Sequence, residues 1–89
     1  METVYADKLY EFLTEMAATA QSHGDEGAVQ RIDKARRYFR PPLTSEFLGE
    51  SMLALREVLE RSESLFTPEQ ASKAIDYADS IKQQWFSRC

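Results

Sequence analysis

Apolar residues recur every three or four positions along four stretches of the chain. In the first stretch they are Tyr5, Leu9, Phe12, Leu13, Met16 and Ala20. This spacing places them on one face of an α-helix, and no stretch shows the alternation of apolar and polar residues that is typical of a strand. The pattern predicts helices over about residues 3–22, 26–40, 45–62 and 68–86.

Turn and capping residues set the ends of the first two predicted helices. Gly24 can adopt the left-handed conformation that ends a helix, and Asp25 can then cap the next one. Pro41 and Pro42 stop the second helix, because proline disfavours helical geometry in the residue before it. The first connection is therefore expected to be only a few residues long.

The start of the fourth helix has the clearest local signal in the chain. Thr67 is followed by proline, glutamate and glutamine, which is the order expected of an N-cap, a first-turn proline and a capping box. Thr44 is the corresponding candidate N-cap of the third helix. The predicted buried face of the fourth helix consists of Ala71, Ala74, Ile75, Ala78, Ile81 and Trp85.

Four amphipathic helices with short connections favour antiparallel neighbours. We therefore predict an all-α fold, a small four-helix bundle with up-down-up-down antiparallel topology. A chain of 89 residues can assemble one hydrophobic core but not two. Residues 1–89 are accordingly expected to form a single helical domain.

The chain lacks the residue patterns of the common enzyme classes and metal sites. His23 is its only histidine and Cys89 its only cysteine, which is too few for a zinc or di-iron site. No serine stands in a nucleophile elbow, and no glycine-rich phosphate loop is present. We predict that the protein is not an enzyme and binds no cofactor and no metal.

The apolar runs are far shorter than the ~20 residues that a membrane-spanning helix requires. The first residues of the chain are acidic, where a signal peptide would be basic. We therefore expect a cytoplasmic protein that does not associate with a membrane.

Charge is distributed unevenly along the chain. The net charge is −4, yet between residues 31 and 40 only Asp33 opposes the positive residues Arg31, Lys34, Arg36, Arg37 and Arg40. Together with Tyr38, these are residue types that can stack on bases and hold phosphates. The alternative is structural, because cations near a helix C-terminus are stabilised by the helix dipole and can pair with acids of neighbouring helices.

Two further features are candidates for contact with a partner. Glu57 and Glu60 lie on one face of the acidic third helix, which could attract a basic surface. Phe86 lies about 100° around the fourth helix from Trp85, so it could be left partly exposed as an interface anchor; the alternative is that both aromatic side chains close the end of the bundle.

A small acidic bundle without catalytic motifs is expected to act by presenting a surface. We predict a non-enzymatic protein–protein interaction module, such as an adaptor, an inhibitor or an immunity-type partner. The candidate partner-binding residues are Arg31, Arg36, Arg37, Tyr38, Arg40, Glu57, Glu60 and Phe86.

Two alternatives stay open at this point. The first is a nucleic-acid-associated regulator that uses the basic and aromatic end of the second helix, although the net negative charge opposes nucleic-acid binding. The second is a homodimer, since a small bundle often covers exposed apolar surface by self-association.

Overall fold

The computed structural model describes residues 6–39 and 45–86, with the side chains of residues 7–39 and 46–84. Its helices are α1 (Ala6–Ser22), α2 (Glu26–Arg36), α3 (Ser45–Ser62) and α4 (Pro68–Ile81). A 3₁₀ turn (Glu63–Leu65) follows α3, and a π-helical turn (Lys82–Phe86) continues α4. The described residues contain no strand, and the predicted all-α four-helix bundle is confirmed.

Consecutive helices pack against one another in the antiparallel up-down-up-down order. The bundle is closed by contacts between the first and last helices, where the ring centroids of Phe12 and Tyr77 are 5.2 Å apart. Each helix therefore has two neighbours, and the α2/α3 and α1/α4 pairs lie on opposite sides of the bundle.

Large apolar side chains from all four helices fill the centre of the bundle. The fully buried ones are Leu9, Leu13, Met16, Ile32, Phe47, Leu48, Leu55 and Ile81. Ser51 is the one polar residue among the fully buried side chains of the described residues. Its hydroxyl has no hydrogen-bond partner within that part of the chain.

The connection between α1 and α2 follows the sequence prediction. Gly24 has a φ of +73°, a left-handed conformation that glycine adopts without strain. Asp25 caps α2, because its Oδ1 accepts a hydrogen bond from the backbone N–H of Ala28 at 3.0 Å.

Helix α2 ends at Arg36, four residues before the predicted end. The backbone N–H groups of Tyr38 and Phe39 bond to carbonyls three residues earlier, which tightens the last turn and releases the chain. The ring of Phe39 then stacks on Tyr10 with a centroid separation of 4.5 Å. Aromatic packing on α1 therefore accompanies the early end of α2.

The predicted N-cap of α3, Thr44, lies outside the described residues.

The capping box at the start of α4 is present, since the Thr67 hydroxyl and the Gln70 side chain each accept from the other's backbone N–H. The predicted buried face is correct for Ala74, Ala78 and Ile81 but wrong for Ile75, which is 48% exposed. Ile75 lies about 100° around the helix from Ala74, outside the stripe that meets the core.

Candidate functional site

A groove of about 590 Å³ runs between α2 and α3 on the outside of the bundle. Its volume is in the range of pockets that hold ligands or peptide side chains. Four cations line it, namely Arg31, Lys34, Arg37 and Arg61, against the two carboxylates of Asp25 and Glu57. The groove therefore has an excess of positive charge in a protein whose net charge is −4.

An ion-pair cluster ties the two sides of the groove together. The Arg31 guanidinium on α2 donates from Nε to Glu57 and from Nη1 to Glu50 Oε1 at 3.2 Å, and both acids belong to α3. Lys34 approaches the same Glu50 oxygen at 4.0 Å. These contacts link α2 to α3 along the groove.

The hydrogen bond and positive charge of Arg31 lower the pKa of Glu57, and the nearby charges of Arg61 and Lys34 lower it further. Glu57 is thus a carboxylate held among cations.

Asp25 links the N-terminal end of α2 to the C-terminal end of α3. Its Oδ2 accepts a hydrogen bond from the Ser62 hydroxyl at 2.7 Å while its Oδ1 caps α2. The bond from the Ala28 N–H, followed by the bond from Ser62, lowers the pKa of Asp25. Both oxygens of the Asp25 carboxylate therefore accept hydrogen bonds within the fold, although Asp25 lines the groove.

Arg37 and Arg61 are the two cations of the groove that form no ion pair among the described residues, and we call them the uncommitted cations. Both are exposed, and neither has a carboxylate within ion-pair distance among the described residues. Arg61 is close enough to Glu57 to affect its pKa, but it forms no ion pair with it in this part of the chain. These two guanidinium groups are free to bind an anionic group from another molecule.

Small side chains leave the space between the helices. Gly27, Ala28 and Ser62 line the groove, and a Cβ atom added at Gly27 would meet only Asp25 Oδ1, at 3.6 Å. Ala28 and Val58 line it from below, but they are 6% and 3% exposed. The accessible surface of the groove is consequently mixed, with polar and apolar area in similar shares, and its exposed charged groups are those of the arginine, lysine and acidic side chains that line it.

Three of the residues predicted from the sequence meet in this groove, namely Arg31, Arg37 and Glu57. Arg31 and Glu57 pair with each other, which is the structural alternative that the sequence left open. Arg37 keeps the exposure that contact with a partner requires.

Arg36 and Tyr38 lie away from the groove. Arg36 faces α1, where its guanidinium lies over the Tyr10 ring at 5.2 Å, and within α2 it bonds to Asp33 Oδ1 at 2.7 Å. The hydrogen bond to Asp33 raises the pKa of Arg36. Tyr38 is partly buried against the hydrophobic core. Both residues are used by the fold, so they do not form one surface with Arg37.

The remaining candidates are Glu60, Arg40 and Phe86. Glu60 is exposed and does not line it. Arg40 and the side chain of Phe86 lie outside the described residues. Arg61 is a groove residue that was not among the sequence candidates, although its position four residues after Glu57 places both on one helix face.

No cluster of three or more histidine, cysteine, aspartate or glutamate side chains within the described residues could hold a metal ion. No helix in that part of the chain is both long and apolar enough to cross a bilayer. What the groove offers chemically is a set of positively charged hydrogen-bond donors, two of them exposed and without a carboxylate partner among the described residues.

The fold and the groove together define a small all-α bundle with a basic cleft between its second and third helices. No protein-family model matches the chain, and neither the curated proteins nor the solved structures include a significant match.

Proposed function

We propose that this protein is a non-enzymatic protein-interaction module whose docking site is the α2/α3 groove. The observation that supports the proposal is the concentration of four cations and only two carboxylates in one groove of an acidic protein. Arg37 and Arg61 there have no internal partner among the described residues. Exposed, unpaired charges of one sign attract a partner of the opposite sign and accelerate association.

The same contacts argue against nucleic acid as the principal ligand. Among the residues that the sequence offered for phosphate and base contacts, Arg31 and Arg36 form internal ion pairs and Tyr38 packs against the core. Nucleic-acid binding depends on neutralising many phosphates, which the net charge of −4 opposes.

The test is an affinity capture from an extract of the native cells with three baits. These are the wild-type chain, an Arg37→Glu/Arg61→Glu variant, and a Lys8→Glu/Lys82→Glu control that changes the net charge equally. Lys8 and Lys82 are exposed and do not line the groove. We expect the wild type and the control to recover the same protein and the groove variant to lose it.

Recovery of that protein by the groove variant at the wild-type level would reject the groove as the docking site. Recovery of nucleic acid instead, with a steep loss as salt is added, would replace the proposal by the nucleic-acid alternative. Circular dichroism of each bait verifies that the substitutions leave the helices intact.

A further inference from the structure

We infer that the groove holds an extended, acidic segment of the partner protein, with carboxylate side chains near both of its ends. This inference rests on the proposed function and adds to it the chemistry of the bound segment. The inference depends on where the uncommitted cations lie along the groove.

Arg37 and Arg61 are at opposite ends of the groove. The bond between Asp25 and Ser62 places the C-terminal end of α3, and with it Arg61, beside the first turn of α2. Arg37 follows Asp25 by twelve residues, which corresponds to about 18 Å along the helix axis. An extended chain of roughly five or six residues covers that distance, because it rises about 3.3 Å per residue.

An extended segment suits this groove better than an amphipathic helix does. A helix bound in a groove is anchored by apolar side chains that enter apolar pockets. Here the apolar lining residues Ala28 and Val58 are buried, and the exposed large apolar side chains of the described residues, Leu53 and Ile75, do not line the groove. The groove thus exposes no large apolar side chain that would anchor a helix, whereas its exposed cations can attract a short acidic segment that need not fold.

Carboxylates suit the groove better than a nucleic-acid backbone does. Glu57 already occupies a position among the cations, so the geometry of the site is one that a carboxylate fits. Two cations of the groove, Arg37 and Arg61, have no carboxylate partner among the described residues, which matches two acidic side chains. A phosphate backbone would bring many more charges close to Glu57 and Asp25.

The experiment measures binding of fluorescent synthetic peptides to the full chain by fluorescence anisotropy at low ionic strength. All peptides have eight residues in a serine and threonine background. One has glutamates at its second and seventh positions, one has them adjacent, one has a single glutamate, and one has glutamine in place of both.

We expect the widely spaced glutamates to bind most tightly, and removal of either one to weaken binding about fivefold, the upper range for an exposed ion pair. Arg37→Gln should abolish the preference for wide spacing, whereas Lys8→Gln should leave it unchanged. Both changes remove one charge, so the comparison isolates the position of the cation.

Equal binding of the adjacent and the widely spaced glutamates would overturn the inference. So would tighter binding of a single-stranded oligonucleotide, or groove-dependent self-association of the chain in sedimentation equilibrium. If the capture experiment succeeds while the peptides bind without preference, the proposed function stands and the extended acidic segment is rejected. If neither experiment depends on Arg37 and Arg61, both proposals fail.

Discussion

The α2/α3 groove and the α1/α4 seam are both contacts between neighbouring antiparallel helices, but their side chains fill them differently. In the seam, the rings of Phe12 and Tyr77 occupy the space, and the Gln70 amide donates to the Thr19 hydroxyl at 3.0 Å. In the groove, small residues such as Gly27 leave an open volume of about 590 Å³. Side-chain size at these facing positions therefore distinguishes the packed contact between Phe12 and Tyr77 from the open groove.

The α1/α4 seam and the α2/α3 groove also differ in the environment of their charged and titratable groups. Burial raises the pKa of Tyr77 in the seam, and the charges of Glu11 and Asp7 add to the effect. In the groove, Arg37 and Arg61 stay exposed and unpaired among the described residues. The seam therefore buries its polar group, whereas the groove leaves two cations exposed, as the proposed docking site requires.

The largest effect is expected in the seam. Phe12→Ala should lower the free energy of unfolding by about 3–5 kcal/mol, because it removes a buried ring and leaves a cavity. Urea denaturation followed by circular dichroism measures the change. A loss below about 1 kcal/mol would contradict the view that this seam is a main source of stability.

A smaller effect is expected at Ser51, where a polar group is buried without a hydrogen-bond partner among the described residues. Ser51→Ala should raise the free energy of unfolding by about 1 kcal/mol, since it removes an unsatisfied hydroxyl and favours the helix.

Ser62→Ala is the matched control for Ser51→Ala, because the Ser62 hydroxyl donates to Asp25. It should lower the free energy of unfolding by about 1 kcal/mol. The same denaturation assay compares the two variants, and a loss of stability in Ser51→Ala would show that its hydroxyl is satisfied.

Acidic pH should lower the stabilisation that the two carboxylates of the groove give to the folded state. The pKa values of Asp25 and Glu57 are lowered in the folded state, from ordinary values of 3.8 and 4.5. The unfolded chain therefore binds protons first, so their stabilisation is present above these values and is lost as the pH falls through the folded-state pKa.

Glu57→Gln should reduce the loss of stability that accompanies a fall in pH, because the glutamine side chain does not titrate. Thermal unfolding between pH 6 and pH 3 checks this against the wild type. An identical slope in both proteins would mean that the pair between Arg31 and Glu57 does not stabilise the folded state.

The smallest effect on stability is expected for the uncommitted cations. Arg37→Ala/Arg61→Ala should change the free energy of unfolding by no more than about 0.5 kcal/mol, because exposed side chains without partners contribute little. The same variant should lose the partner in the capture experiment. A loss of stability above about 2 kcal/mol would instead assign both arginines a structural role.

Local features of the fold could be predicted from the sequence because they depend on residues that are close along the chain. The cap at Asp25, the turn at Gly24 and the capping box at Thr67 each involve partners within three or four residues. Ile75 was misplaced because the periodicity of a helix gives the width of its apolar face but not the exact centre of its contact.

The groove could not be predicted because it depends on how two helices are aligned. Arg31 and Glu57 are 26 residues apart, and the intervening chain includes the end of α2 and the prolines after it. The sequence identified both as charged candidates but not as partners. It also grouped Arg36 with Arg37, although the helical turn between successive residues directs Arg36 toward α1.

The most direct test of the groove as a docking site is to map the bound acidic peptide on the isotope-labelled full chain by NMR. The peptide with widely spaced glutamates should shift backbone amide signals within residues 27–37 and 57–62 and leave those of the α1/α4 seam unchanged. Shifts confined to the seam, or to the surroundings of Leu53 and Ile75, would contradict the assignment of the docking site to the α2/α3 groove.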